Sequence, residues 1–314
     1  MLIEYDMFGE RHDKVKDAVD MLRFLEPEEG YYLAFSGGKD SQAVFHLSVL
    51  AGVKFDAHMR ITGTEPHEVI RFVKDYYPTV KREHAHDKDG NALTMWNLIP
   101  KKLMPPTRIA RYCCSELKET GGKGRLTITG VRKAESVQRA TRSEAIIIKG
   151  RKLEAVANRE NANYKSTKQG GLIMAFDNDV SKRVVEQCYR TNQTTINPII
   201  NWTEDDVWQF LNDVVKVPHC SLYDEGYKRI GCVGCPMASN QKEELERWPK
   251  YRENYVRAFD RMLKERERKG LETLWKTGEE VMKWWIGEAA KQADQNQISM
   301  DEIIEAATAT EAIE

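Results

Sequence analysis

The chain has 314 residues, of which 48 are lysine or arginine and 49 aspartate or glutamate, for a formal net charge of −1. With 41% apolar residues it can bury a full core, as one large α/β domain with a helical appendage or as two modest domains. The charge balance excludes a molecule-wide basic field, so any polyanion site has to be a local patch, and no apolar run approaches the roughly 20 residues of a membrane helix.

The first residues, Met1-Leu2-Ile3-Glu4-Tyr5-Asp6, have neither a basic start nor an apolar signal core, which makes a cytoplasmic location the expectation. Residues 12–26 carry Val15, Ala18, Val19, Leu22 and Leu25 at helical spacing and stop before Pro27. The aromatic-rich run 31–35 reads as a buried strand that feeds a glycine turn, and 41–50 then reads as a helix closed by Gly52. Further strands are expected at 53–59, 80–85 and 126–131, with a helix at 68–76. This alternation predicts an α/β fold with a doubly wound, mostly parallel sheet.

Over 150–171 the periodicity lapses, and a mobile loop or lid is expected. Lys149, Arg151, Lys152, Arg159, Lys165 and Lys168 make this the locally basic stretch of the sequence, either a solvated loop or a nucleotide or nucleic-acid contact. From 241 to 269, Leu245, Trp248, Tyr251, Tyr255, Phe259 and Met262 recur at three- and four-residue steps. They predict an amphipathic helix with an aromatic stripe, stopped by Gly270. Residues 289–314 read as one or two short helices. The expected division is an α/β domain over 1–240 and a C-terminal helical extension over 241–314.

Ser36-Gly37-Gly38-Lys39-Asp40-Ser41 falls between a strand and a helix, where phosphate chemistry needs it. Glycines let backbone N–H groups approach an anion, the new helix adds its positive end, and Ser36 and Ser41 offer hydroxyls. A Walker A loop is excluded by Leu33, five before Gly38, and by Asp40 after the lysine. The third glycine of a dinucleotide fingerprint is also missing.

The hexapeptide resembles the pyrophosphate loop of the N-type ATP pyrophosphatases, and three further segments narrow the resemblance to the phosphoadenosine-phosphosulfate (PAPS) reductase-like family. Thr62-Gly63-Thr64-Glu65-Pro66 looks like the turn after that family's second strand. Gly130-Val131-Arg132-Lys133-Ala134-Glu135-Ser136-Val137-Gln138-Arg139 resembles its Gly-x-Arg-x-x-Glu-Ser-x-x-Arg segment, whose arginines leave a strand end as forked phosphate donors. Asn197-Pro198-Ile199-Ile200-Asn201-Trp202-Thr203 leads into a helix as in the family, with Thr203 as N-cap and Asp206 three residues on. The segments 222–227 and 231–236 continue the match, which covers about 30 to 240.

The resemblance implies an adenine nucleotide alpha hydrolase-like fold and a nucleotide substrate. It implies that Ser36, Gly37, Gly38 and Ser41 grip the pyrophosphate of ATP, that Lys39 adds charge, and that Asp40 positions Mg²⁺ or the loop. Gly63, Thr64, Gly130, Arg132, Glu135, Ser136 and Arg139 would complete the nucleotide site.

Of six cysteines, Cys188 reads as a buried thiol, and Cys232-Val-Gly-Cys235 alone is a metal or redox pair. Cys113 and Cys114 complete a four-thiolate set like that of the family's iron–sulfur members, which implies a 4Fe–4S cluster, with zinc as the alternative. Lys118 would lend positive charge. The family's reductases carry a catalytic cysteine in a C-terminal Glu-Cys-Gly-x-His-like tail, whereas no cysteine follows Cys235 here. Cys220 is the substitute, either activated by His219 or a packed thiol.

Three readings stay open. The chain adenylates a substrate with ATP and passes on sulfur, in the manner of iron–sulfur enzymes such as those of DNA phosphorothioation, with a nucleic acid or a sulfur-donor protein as partner. It reduces adenylyl sulfate or PAPS to sulfite. Or it is a non-enzymatic nucleotide- or nucleic-acid-binding module.

Overall fold

The computed structural model describes residues 2–5, 8–135, 164–166, 172–174, 185–188 and 193–288. Most of the expected lid, together with Ser136, Arg139 and the helices expected beyond 289, lies outside them. The chain divides into two compact units, the first of Met1–Met95 and Arg111–Val233 and the second of Trp96–Ala110 and Gly234–Glu314.

The first unit opens with β1 (Ile3–Tyr5) paired antiparallel to β2 (Arg11–Asp13), followed by α1 (Lys14–Phe24), whose N-cap Asp13 accepts from Val15 and Lys16 N–H. Next come β3 (Tyr31–Ala34), α2 (Lys39–Ala51), β4 (Phe55–Ile61), α3 (His67–Tyr76), β5 (Lys81–His86) and β6 (Ala92–Leu93). Past α4 (Met95–Lys102) and α5 (Tyr112–Leu117), the unit continues with β7 (Leu126–Ile128). β8 (Tyr164–Ser166) and β9 (Leu172–Met174) form a two-stranded antiparallel ribbon, so part of the segment expected to be structureless is paired backbone. β10 (Val185–Cys188), β11 (Gln193–Ile196) and α6 (Glu204–Gln209) follow.

The main sheet has seven strands in the order β10-β11-β7-β3-β4-β5-β6. β11, β7, β3, β4 and β5 run parallel, and the edges β10 and β6 pair antiparallel. The sheet is doubly wound: the chain builds outward from β3 through β4 to β5, then returns to place β7 and β11 on the other side. The reversal point falls between β3 and β7, where open α/β sheets bind ligands outside the carboxyl ends of their strands. β3 is buried at Tyr31, Tyr32 and Leu33, with the Tyr31 hydroxyl donating to Leu22 O of α1 at 2.8 Å, which is why its run is continuously apolar.

The second unit holds most of α4, then α7 (Gln241–Arg247), α8 (Pro249–Arg268) and α9 (Gly278–Trp285). The single helix expected over 241–269 is two. Pro249 has no N–H to continue α7 and starts α8 in its first turn, while Trp248 before it leaves helical backbone at φ −115° and ψ 71°. The aromatic stripe is core: Tyr255 lies 5.0 Å from the Trp96 ring and 4.7 Å from that of Trp285, whose indole N–H donates to Pro106 O at 2.6 Å. Among the described residues no helix is long and apolar enough to cross a membrane.

Candidate active site

The 36–41 loop leaves the end of β3 and becomes the start of α2. Gly37 has φ +78°, and a methyl group there would sit 2.8 Å from Val69 Cγ1 and 2.9 Å from Val73 Cγ2 on α3. Only glycine lets the turn lie this close to α3. Gly38 is the N-cap and has no side chain to cap the first turn. Lys39 N–H donates to the Tyr223 hydroxyl at 2.8 Å, and Gly38 N–H reaches Ser36 Oγ at 3.4 Å. The N–H groups of Gly37, Asp40 and Ser41 pair with no described residue. Unpaired donors at the positive end of a 13-residue helix form an anion cradle.

Lys39 faces elsewhere. Its side chain is almost wholly buried, with Nζ donating to Lys228 O at 2.6 Å, 3.3 Å from Glu204 and 5.3 Å above the Tyr223 ring. Tyr223 is wedged edge-on against Trp208 at 4.9 Å, and burial pushes its phenol far above the ordinary range. The hydroxyl therefore stays neutral, accepts from Lys39 N–H and keeps its own proton to donate. Glu204, Trp208, His219, Tyr223, Asp224 and Lys228 border a cavity of 390 Å³ on this side.

Across the reversal point the end of β7 closes on the loop. A methyl on Gly130 would lie 2.8 Å from the Asp40 carbonyl carbon and oxygen, so the two backbones approach as closely as glycine permits. Buried Arg132 donates from Nε to Asp40 Oδ1 at 2.5 Å. Asp40 is the loop's one carboxylate, and it is already ion-paired. A Mg²⁺ here would rest mainly on nucleotide phosphates, a mode this metal favours.

The 62–65 turn after β4 is self-contained. Glu65 accepts from Thr62 N–H at 2.9 Å and Gly63 N–H at 3.0 Å, and Thr64 N–H reaches Thr62 Oγ1 at 3.3 Å. The donors expected from Gly63 and Thr64 are thus used within the turn. Glu135 ends a short helical turn, Lys133–Glu135, that follows Arg132.

Cys220 is fully buried, and burial pushes its thiol up. His219 Nε2 instead meets Asp224 Oδ1 at 2.9 Å. Burial and the His219–Asp224 contact favour the packed-thiol alternative for Cys220. Cys113 and Cys114 lie half-buried on α5. A hydrogen bond from Cys113, then the charges of Lys118 and Arg111, pull the Cys114 thiol down to about 5 against its burial. Lys118, at the end of α5, is raised by the sulfur of Cys232.

Cys113, Cys114 and Cys232 belong to the first unit and Cys235 to the second. Among the described residues no three His, Cys, Asp or Glu side chains gather as a metal site. The thiolate-favouring charges suit a soft-metal group, but the arrangement described does not itself form its centre.

Residues 30–238 match the family described as the phosphoadenosine phosphosulfate reductase domain, and the chain belongs to that family. The sheet is mostly parallel and doubly wound, with the 36–41 loop at its reversal point. An adenosine 5'-phosphosulfate reductase of Shouchella clausii is 23% identical over 75% of this chain and 84% of its own length. An uncharacterised protein of Methanocaldococcus jannaschii is 30% identical over 66% of this chain and 41% of its own length. The PAPS reductase structure of Candida auris is 15% identical, with a TM-score of 0.38 over 74% of this chain and 98% of that one.

Sequence reasoning missed the roles of Tyr223, Glu204 and Lys228. They lie 163 residues or more beyond the loop, and nothing in their local pattern says that they fold onto it. The signals were that Glu204 falls within the family-like segment 197–208 and Tyr223 within 222–227.

Proposed function

We propose that the chain is an ATP-dependent enzyme that adenylates an acceptor and releases AMP and pyrophosphate. The observation that carries this reading is the set of N–H groups on Gly37, Asp40 and Ser41 left for an anion at the start of α2. In this reading those donors and the Ser36 and Ser41 hydroxyls hold the β- and γ-phosphates. Arg132, next to Asp40, faces the charge that develops as the α-phosphate is attacked. Catalysis is then mostly positioning and electrostatic stabilisation. Lys39 acts from behind the loop: the tie of its buried side chain to half-exposed Glu204 and to Lys228 O fixes where α2 begins.

Titration with Mg-ATP tests this, followed by assay of AMP and pyrophosphate. Saturable binding that Ser36→Ala weakens and Arg132→Gln leaves unproductive is expected, whereas native protein that binds no ATP sinks the reading. Cluster binding by Cys113, Cys114, Cys232 and Cys235 and transfer of sulfur belong to the same proposal. Iron and zinc analysis of anaerobically purified protein checks the cluster.

The reductase names among the relatives favour a second reading, release of sulfite from adenylyl sulfate or PAPS. It needs an accessible thiol at the nucleotide, which buried Cys220 does not supply. Thiol-dependent sulfite release, lost in Cys220→Ser, would reverse the order of the two readings.

A further inference from the structure

In the second unit, the outer faces of α4 and α8 border a groove of 520 Å³. α4 contributes Asn97 and Lys101, one turn apart, and α8 contributes Arg261, Lys264 and Arg268 at steps of three and four, with Lys269 just beyond. Pro100 and Leu103 add apolar lining. The one carboxylate in the lining, Glu265, is taken by Arg268, which donates to it from Nε at 2.9 Å and Nη2 at 2.8 Å. Lys101, Arg261, Lys264 and Lys269 are exposed, and no carboxylate among the described residues pairs with them.

Cations in the last turns of helices commonly offset the helix dipole, and that accounts for Lys101 and Arg268. It does not account for Lys264, which stands mid-helix, nor for the convergence of two helices on one groove. Arg261, also mid-helix, donates from Nη2 to Trp96 O at 2.6 Å, a bond to a neutral carbonyl that holds the side chain at the groove and leaves its charge without a carboxylate. The row from Arg261 to Lys269 runs roughly 12 Å along α8. Its charges are strung out and do not converge on a point, as a single phosphate or a small nucleotide would require. A strand of nucleic acid repeats its charge about every 3.4 Å along a duplex. Such a row spans three or four successive phosphates.

We propose that the α4–α8 groove binds the phosphodiester backbone of a nucleic acid, through about four cations and without reading bases. This goes beyond the ATP chemistry of the first unit and does not depend on it. The basic stretch at 149–168 is not needed, because cations 160 residues apart in sequence are brought together by the packing of α4 on α8.

The test is fluorescence anisotropy of the full chain with labelled 20-nucleotide single-stranded DNA, its duplex and the matching RNA, across a salt series. For about four phosphate contacts, log K should fall with log salt at a slope near −3 for single strands and near −4 for duplex. The exposed triple variant Lys101→Gln/Lys264→Gln/Lys269→Gln should lose at least tenfold in affinity and flatten the single-strand slope by about 2. Lys74→Gln/Lys123→Gln/Lys283→Gln, equal in charge and outside the groove's lining, should change neither.

No oligonucleotide binding at low salt, or equal losses in both triple variants, overturns the proposal. Displacement of the oligonucleotide by inorganic pyrophosphate at matched ionic strength would make the groove a small-anion site. Stronger binding to anionic vesicles, lost in the groove variant, would make it a membrane-surface site, and either result overturns the nucleic-acid assignment. Mg-ATP binding, measured in parallel on the groove variant, should be unchanged, so failure here is separable from failure of the adenylation reading.

Discussion

Tyr223 touches Lys39 twice, through its hydroxyl on the backbone N–H and through its ring under the ammonium. Tyr223→Phe keeps the ring and removes the acceptor from the first N–H of α2. The expected cost is about 1–2 kcal/mol in urea unfolding without nucleotide, and no measurable change would show that the contact is incidental. Two thiols give a second contrast. A hydrogen bond from Cys113 and two nearby cations favour the thiolate of Cys114, while burial favours the neutral thiol of Cys220. On chelator-treated protein at pH 7, iodoacetamide should label Cys114 well before Cys220, as read by peptide mass spectrometry. Labelling in the reverse order would contradict both environments. The cysteine pair and the His219-Cys220 dipeptide were visible in the sequence. Their difference was not, because it depends on Lys118 lying opposite Cys232 and on His219 turning to Asp224.

Between elements, two glycines do separate work. Gly37→Ala forces left-handed backbone on alanine and drives a methyl into Val69 and Val73, so a loss of about 2–4 kcal/mol is expected along with loss of nucleotide binding. Gly130 has no positive φ, and its alanine instead pushes on the Asp40 backbone. Gly130→Ala should therefore lower nucleotide turnover by more than it lowers stability, and a variant that unfolds readily yet turns over normally would contradict this.

α6 supplies the pH-dependent element. Burial would raise the Asp206 carboxyl, but Lys14 at 2.7 Å and the Thr203 N–H hold it well below the ordinary carboxylate range. A group depressed in the folded state stabilises above its unfolded pKa, near ~4 for aspartate, and that contribution disappears as pH falls toward the folded value. Asp206→Asn should cost about 3 kcal/mol at pH 7 and flatten the acid limb of the stability curve below about pH 4. The Thr203–Asp206 capping box was legible because its signal is local. Lys14 was not, being 192 residues away. β11 and the Pro249 break show the same limit: a four-residue central strand has too little periodicity to announce itself, and one proline outweighs a continuous apolar stripe.

At the scale of the whole chain, strand–helix alternation was enough to anticipate the doubly wound sheet, since each β–α step is short and local. It could not show that β7 returns to the far side of β3, the crossing that brings Arg132 to Asp40. Nor could it show that 96–110 belongs with the C-terminal helices, the arrangement that builds the basic groove from charges invisible in a net of −1. The reversal point makes a thermodynamic prediction about the first unit. A ligand that binds only the folded protein at a hundred times its Kd stabilises it by about 2.7 kcal/mol. For a unit of about 200 residues each kcal/mol moves the melting point by roughly 2–4 °C. Saturating Mg-ATP should therefore raise the melting transition of the first unit by about 5–10 °C in calorimetry. The shift should vanish in Gly37→Ala and persist in the groove variant, because the groove lies in the other unit. A native protein whose melting point ignores Mg-ATP but rises with adenylyl sulfate would assign the same cradle to the sulfonucleotide.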